Sequence, residues 1–518
     1  MRTRKGGPLN LQSGMSHGAR LRRMDRDTPS PLGPLATVLG AAPLLTRSPE
    51  RGPAAHGTKT LRDLNAVFDA FDLSDGAVLS FHHHYRNGDN LINLVMQCAR
   101  ARGLKGLTLA ASSLFPVHAP LVPLIEDGTI EHILTDYMRG PVADCVARGG
   151  LRGCALMQSH GGRARAMAAR QVTIDAAFIA APLARPDGAA TGRGGRLACG
   201  PLGYPAVDAA FARRTVVVAA EITRELPFVD IPAHHVDALV VLEDIGSPSG
   251  ILSGSTLASE TESARRVGDL VALAIRAAGY MTDGMSLQSG AGGYSLGAVG
   301  HIGRAMSAAG VRGGFISGGI TGIHAALLGQ QVFARIRDVQ CFDLQAVQSA
   351  IHNPAHKMMT AEEYASPLHP CPATSELDVM LLGAIEVDAA FNVNVVLAGN
   401  GQILGGPGGH PDTAAGAKLR IVTTDLTGGG YAKLVPQVQC VSTPGTDVDL
   451  IVTPDGIAVH PERTGLASRL GGAGLPLQSF HDLASRAATQ ASRKATPRGN
   501  DQPRVLVESP DGRIIDWI

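Results

Sequence analysis

The amino-acid sequence predicts an α/β protein of open, largely parallel sheets in two tandem domains, preceded by a disordered extension. Three observations lead there. Apolar runs of strand length recur along the chain, and most end in a polar or glycine-rich loop followed by a helix-period segment. The 63 glycines suit the many tight turns of such a fold. At 518 residues the chain exceeds what a single core supports.

The first 55 residues stand apart. They carry nine Lys/Arg against three Asp/Glu, with Gly, Pro and Ser throughout and no sustained period, so residues 1–55 read as a disordered basic extension. The apolar stretch Leu35–Leu45 follows a basic start, but Arg, Asp and Pro intervene and the run comes too late for a signal peptide. Over the whole chain, 46 Lys+Arg against 45 Asp+Glu give no electrostatic case for nucleic acid or a membrane surface. No uninterrupted apolar run approaches a membrane span. The seven cysteines are scattered without a CxxC pair, which fits neither a disulfide framework nor a zinc site and points to the cytoplasm.

Residues 56–280 read as the first domain. A helix pattern opens at Thr60–Leu64, and the strand Ala77–Phe81 ends in His82-His83-His84-Tyr85-Arg86. A helix over Asn90–Arg102, the strand Leu107–Ala110 and the loop Ser112-Ser113 follow. Strand Ile130–Thr135 runs into Tyr137-Met138-Arg139-Gly140, and Ala155–Gln158 runs into Ser159-His160-Gly161-Gly162-Arg163. Further strands are expected at Ala176–Ala180, Val216–Ala220 and Val236–Val241.

A long helix, Ser255–Ala278, leads into the second domain, residues 281–518. There Gln288-Ser289-Gly290-Ala291-Gly292-Gly293 lies between a strand and a helix, and Val311–Ile316 ends in Ser317-Gly318-Gly319-Ile320-Thr321. Strands are expected within 334–342 and at Asp378–Leu382, Lys418–Val422, Gln439–Val441 and Asp449–Val452. Val505–Leu506 and Ile514–Ile515 form an edge hairpin around Asp511-Gly512.

The stretch 384–413 is the richest in chemistry. Ile385, Val387, Ala389 and Phe391 alternate with Glu386, Asp388 and Ala390, a strand with one polar face. Val393–Leu397 then leads through the turn signal Gly399-Asn400-Gly401. In Gly405-Gly406-Pro407-Gly408-Gly409-His410, successive backbone N–H groups can point into one concavity, a nest suited to an anion or an oxyanion. A surface hairpin with a glycine loop is the alternative.

Other constellations take their meaning from spacing. Adjacent histidines on a strand alternate faces, so His82–His84 do not converge on one ion and no metal is expected. His83 with Arg86 at a strand end can bind carboxylates, and the guanidiniums of Arg139 and Arg163 can grip one bidentately. The glycines 290–293 resemble a dinucleotide fingerprint but lack an acidic residue about twenty positions on; a cradle for a phosphate or pantetheine arm fits equally well. Gly-x-Ser-x-Gly in the context of a nucleophile elbow is not evident, and Glu386 is the best-placed carboxylate.

Several longer stretches carry a family resemblance. They include Ser80-Phe81-His82-His83, His118–Val122, Ser159–Arg163, Cys199-Gly200-Pro201-Leu202-Gly203-Tyr204, Gly318–Thr321, Asp338-Val339-Gln340, Phe391–Val395 and Gly408–Thr413. From about Leu61 to Trp517 the chain resembles the α-subunit family of bacterial citrate lyase, the citrate CoA-transferase component. The resemblance implies two tandem open-sheet CoA-transferase domains. It implies exchange of acetate for citrate on the thioester of a CoA-like phosphopantetheine arm, a dephospho-CoA derivative, for which acetyl-CoA is a soluble stand-in. That arm belongs to an acyl-carrier (gamma) subunit, a beta subunit cleaves the citryl thioester, and the three form a cytoplasmic hetero-oligomer. No cofactor is expected to be bound covalently to this chain.

The resemblance also sorts the candidate residues. Gly408, Gly409, His410 and Glu386 are the catalytic candidates, and His83, Arg86, Arg139, His160, Arg163, Asn392 and Asn394 are the citrate-binding ones. Gln288, Gly290, Gly292, Gly293, Gly318, Gly319, Gly405 and Gly406 are candidates for the thioester arm. Many relatives in the wider superfamily place a glutamate nucleophile where Gly318 stands here, so citrate is expected to attack directly in a ternary complex, with Glu386 positioning. The rival readings are transfer to citramalate, thioester hydrolysis, a sugar-phosphate isomerase of related architecture, and a carrier-docking scaffold without activity.

Overall fold

The apolar runs become the central strands of two large sheets, in a computed structural model that describes residues 59–252, 256–496 and 504–518. The disordered extension expected over 1–55 lies outside these residues. The first sheet is built from β1 (Val78–Phe81), β2 (Leu107–Ala111), β3 (Ile130–Thr135), β4 (Ala155–Met157), β5 (Ala176–Ala184), β6 (Ala190–Thr191), β7 (Arg214–Ile222) and β8 (Ala238–Val241). The second is built from β9 (Ser286–Ser289), β10 (Gly313–Ile320), β11 (Phe333–Cys341), β12 (His356–Met358) and β13 (Val379–Gly383). A small sheet begins with β14 (Glu386–Asp388) and β15 (Val393–Asn394); β16 (Leu419–Thr423) returns to the second sheet. The remaining strands are β17 (Thr427–Gly428), β18 (Tyr431–Ala432), β19 (Leu434–Val435), β20 (Leu450–Thr453), β21 (Gly456–Val459), β22 (Val505–Glu508) and β23 (Ile514–Trp517).

The first sheet runs β23-β22-β4-β3-β2-β1-β5-β7-β8, and the second β12-β11-β10-β9-β13-β16-β20-β21. Neighbours along these paths are parallel except the terminal pairs β22–β23 and β20–β21. Strands β2, β5 and β22 are buried at every residue, which is why they read as continuous small or apolar runs rather than alternating ones. Phe178 of β5 stacks on Phe81 of β1 at 5.6 Å and meets Phe68 at 6.2 Å, anchoring the core on that face.

The two sheets share one strand order. In each, four strands run outward one way (β1 to β4, β9 to β12) and the next strand (β5, β13) sits on the other side of the first. The order therefore reverses beside β1 and beside β9, and at such a switch the loops after the strands diverge and leave a crevice.

Four expectations change. The helix expected from Ser255 starts at Glu262, because the Thr261 side chain accepts from the Ala264 N–H and caps it. The strand expected at Gln439–Val441 is absent because carboxylates engage its amides: Gln439 N donates to Glu386 at 2.9 Å and Val441 N to Asp516 at 2.8 Å. The strand expected over 385–391 narrows to Glu386–Asp388, and Phe391 turns the chain at φ 63°. The C-terminal hairpin forms, but it joins the first sheet, with Val505, Leu506 and Val507 in parallel register against Ala155, Leu156 and Met157. No helix among the described residues is long and apolar enough to cross a membrane.

Candidate active site between the two sheets

The carboxyl ends of β1, β2, β3 and β4 deliver His83, Ser112, Asp136 and His160 into one crevice. His160 opens the helix His160–Ala168, whose first turn Ser159 caps by accepting from Gly162 N at 2.9 Å. Its Nδ1 meets Asp136 Oδ2 at 2.8 Å. The Asp136 side chain is 0% exposed and that of His160 15%, so the imidazole alone faces the cleft. Burial, more than its neighbours, raises the Asp136 pKa. The His83 ring stacks 6.5 Å from His160 and lies 5.5 Å from Tyr204, with Nδ1 2.6 Å from Ser112 Oγ. Burial foremost, and the Arg86 charge next, hold its pKa well below the usual range, so His83 is neutral at pH 7.

Arg86 joins the two sheets. It takes a left-handed backbone, φ 54°, and its guanidinium lies 5.2 Å from the Phe115 ring centre and 4.4 Å from that of Phe342, which follows β11. Burial lowers its pKa to about 10, which still leaves it cationic at neutral pH. Gln340 of β11 donates to the His83 carbonyl at 3.0 Å. Gln288 of β9 donates to the Tyr364 hydroxyl at 2.5 Å and accepts from Ser317 Oγ at 3.1 Å.

Glycines 405–409 lie over this crevice. Gly408 N donates to the Asp136 carbonyl at 3.1 Å, and His160 N donates to the Gly408 carbonyl at 3.0 Å. A Cβ on Gly406 would stand 2.2 Å from the Asp136 carbonyl oxygen, and one on Gly409 would stand 2.5 Å from the Tyr364 hydroxyl and 3.3 Å from His160 Cδ2. Close backbone approach requires these glycines. The nest expected here is therefore partly engaged, since the Gly408 amide serves Asp136. Gly318 likewise has no room for a side chain: at φ 101°, its Cβ would fall 2.7 Å from Gln288 Nε2. Gly319 leaves space for Phe342, whose ring a Cβ would meet at 2.2 Å.

Several expected residues have other work. Arg163 gives both amino groups to Asp208, at 2.6 and 2.8 Å, and donates to Ser80 Oγ at 2.9 Å, so it is not available to a substrate carboxylate. His410 has Nδ1 2.7 Å from Thr443 Oγ1 and Nε2 2.9 Å from the Gly383 carbonyl, so both ring nitrogens are engaged within the protein. Burial lowers its pKa to about 4. Glu386 accepts from Asn394 Nδ2 at 2.8 Å and Gln439 N at 2.9 Å, which makes it a holder of the small sheet. Asn394 also accepts from Val396 N and Leu397 N, both at 2.9 Å, and Asn392 bonds Asp388 and Gly445 N; both asparagines fix turns. Arg139 is exposed, while Gly290 N donates to Leu381 at 2.7 Å and Gly293 accepts from Ser259 N at 2.9 Å. Gly292 caps the following helix without a side chain and packs against Gly383.

The three histidines do diverge, His82 to Asp208 at 3.1 Å, His83 to Ser112, and His84 to the Ala180 carbonyl at 2.9 Å. Elsewhere Asp338, Cys341 and His356 bring ligand atoms within 4.8 Å of one another. Asp338 is already matched by His356 Nε2 at 2.9 Å, the Cys341 thiol at 3.1 Å and Gln340 N at 2.7 Å. Asp136 and Tyr364 were not singled out by the sequence, and Tyr204 and Gln340 entered only as members of the stretches that carry the family resemblance. Only Asp136 had a local signal, a carboxylate directly after a strand.

Asp412 clasps the site from behind, accepting from Ser159 Oγ at 2.6 Å and Gly161 N at 2.9 Å. Burial raises its pKa from 3.8 to about 6, so the folded state holds this proton more tightly than the unfolded chain. The stability it contributes is full below pH 4 and lost as pH rises through 6, a fall of about 3 kcal/mol by pH 7. Asp412→Asn is expected to remove that slope, measured as the wild-type-minus-variant difference in urea unfolding between pH 4 and 7.

Two α/β sheets of one strand order meet at their switch points, across a cleft with a buried cation and a His–Asp pair. Together they define a CoA-transferase-like α/β protein. The chain belongs to the citrate lyase alpha-subunit family: the family profile "Citrate lyase, alpha subunit (CitF)" matches residues 58–518. The citrate lyase alpha chain of Klebsiella pneumoniae is 34% identical over 497 residues, covering 95% of this chain and 96% of that one. Its counterpart in Escherichia coli K12 is 36% identical over 468 residues, covering 90% and 91%. A crystal structure of a citrate lyase alpha subunit from Streptococcus mutans, in complex with citrate, superposes with TM-score 0.88 at 33% identity over 92% of this chain and 94% of that one. The malonate decarboxylase alpha subunit of Acinetobacter baumannii shares the fold, with TM-score 0.61 at 13% identity over 83% of this chain and 88% of that one.

Proposed function

We propose that this chain is the citrate CoA-transferase of a citrate lyase complex, two CoA-transferase domains (56–280 and 281–518) working in the cytoplasm with carrier and beta subunits. It exchanges acetate for citrate on the carrier's CoA-like thioester. A citrate carboxylate oxygen bonds to the acetyl carbonyl carbon, the C–S bond breaks, and a mixed anhydride and a thiolate result. The thiolate then bonds to the citryl carbonyl carbon and acetate leaves. The observation that carries this reading is Gly318. The position of the superfamily's glutamate has no side chain and Gln288 fills its space, so the nucleophile comes from the substrate. Both tetrahedral intermediates need oxyanion donors rather than a general base. Held at Nδ1 by Asp136, His160 presents Nε2 to the cleft as the candidate donor. Arg86 supplies the positive charge that a polyanion needs.

The direct test mixes the purified chain with acetyl-CoA and labelled citrate and follows products by mass spectrometry. Stoichiometric citryl-CoA with acetate release supports the reading; acetate release indifferent to citrate would make the protein a hydrolase. Glu386→Gln is expected to keep kcat within about threefold of wild type, because a residue that does not touch reacting atoms leaves transition-state stabilisation intact. Borohydride added during turnover should reduce no glutamyl thioester at Glu386; a labelled Glu386 peptide would reverse that assignment.

A further inference from the structure

Behind the cleft lies a second cavity of about 350 Å³, walled by Glu386, Tyr431, Lys433, Arg493 and the turn at Gly428 and Gly429. Chain neighbours link it to the glycine run that covers the site. Two of its wall residues, Ala384 and Leu404, adjoin Gly383, which receives His410 Nε2, and Gly405, whose carbonyl accepts from Met138 N.

Its charge is unbalanced. Lys433 is fixed by its backbone, N to the Leu426 carbonyl at 2.9 Å and carbonyl to Val387 N at 2.7 Å. Its ammonium has no hydrogen bond or ion pair among the described residues. The carboxylate whose charge acts on it, Asp425, already accepts from the Tyr294 hydroxyl at 2.5 Å and from Leu426 N at 2.7 Å. Glu386 is held by Asn394 and Gln439. Burial lowers the Lys433 pKa to about 8, which an anion in the cavity would reverse. Arg493 sits exposed at the rim, its guanidinium 5.9 Å from the Tyr431 ring centre and its N–H on the Gly430 carbonyl at 2.9 Å. Gly429 and Gly430 both take positive φ, 59° and 90°.

We infer that this cavity is an anion subsite for the phosphate-bearing end of the CoA-like arm, with Lys433 as the inner point charge and Arg493 as a bidentate clamp at the mouth. The inference rests on the transferase reading for the identity of the arm. The cavity volume admits a diphosphate with part of its nucleoside.

The test compares acetyl-CoA with acetyl-pantetheine, which lacks the phosphates. In Lys433→Ala the kcat/KM preference for acetyl-CoA should fall about tenfold or more, and Lys433→Arg should restore most of it. Arg493→Ala, at the exposed rim, should move the same ratio about threefold without touching the interior. Calorimetric titration with ADP should give a Kd raised about tenfold in Lys433→Ala and weakened by salt. An unchanged ratio and unchanged ADP affinity in both alanine variants would overturn the subsite. A loss seen only with the carrier-bound donor would also overturn it, assigning Lys433 to carrier docking. If the wild type makes no citryl thioester from any donor yet binds ADP through Lys433, the transferase reading fails and the anion site stands.

Discussion

Replacing His160 with alanine is expected to reduce citrate-dependent thioester exchange by about 10²–10³-fold in kcat, the usual loss for one oxyanion donor. The KM for acetyl-CoA should move little, because the imidazole faces the reacting centre and not the arm. Stability should change modestly, since His160 begins a helix whose cap, Ser159, stays in place. The pH profile separates donation from mere packing. An N–H that depends on a proton shared with Asp136 is lost as pH rises, and the rate then falls on the alkaline side. Asp136→Asn, which cannot retain that proton, should shift or erase this limb in the kcat profile while the fold persists. An Asp136→Asn enzyme with wild-type kcat and an unaltered limb would remove the pair from the mechanism.

Arg163→Ala is expected to destabilise the protein by about 3–5 kcal/mol, the cost of leaving a buried charge without its partner. Asp208 is the charge left behind. Its carboxylate is held well below the usual range, against burial, chiefly by Arg163 and then by His82, and its side chain is wholly buried. Because the folded pKa is depressed, this stability is present above pH 4 and is lost as pH falls through the folded value. The double substitution Arg163→Met with Asp208→Leu should recover much of the loss, since no charge then remains buried. Chemical denaturation of the wild type and the two variants at pH 7 decides the point, and Arg163→Ala with unchanged stability would return this arginine to the list of substrate ligands.

Much of the architecture was legible because its signals are local. A strand that runs into His82–His84, or into Ser159–His160, announces a strand-end loop in an open sheet, and these loops do line the cleft. Roles were less legible wherever a partner lies far along the chain. Arg163 reads as a grip for an outside carboxylate until the helix carrying Asp208 is placed 45 residues on. Tyr364 reaches Gln288 across 76 residues, and no pattern in either neighbourhood foretells it. Glu386 misled for the opposite reason: its partner Asn394 is only eight residues away, across a turn that the alternating pattern disguised as a strand. The run 405–409 signals φ freedom, which suits both an anion nest and a close backbone crossing, and only the Asp136 carbonyl 2.2 Å from the missing Gly406 Cβ distinguishes them.

The C-terminal hairpin bears on how the molecule is made. Synthesis releases β4 early, but its outer neighbour β22 follows far behind it, and Gln158 waits 350 residues for Glu508. Until then β4 is a bare parallel edge open to pairing with another nascent chain, and Arg165 lacks the carboxylate it pairs with at 2.9 Å. The first sheet is therefore sealed by a strand made long after its neighbours. A product that stops short of β22 leaves that edge exposed, so such a chain invites aggregation and proteolysis instead of entering an assembly as a half-working subunit.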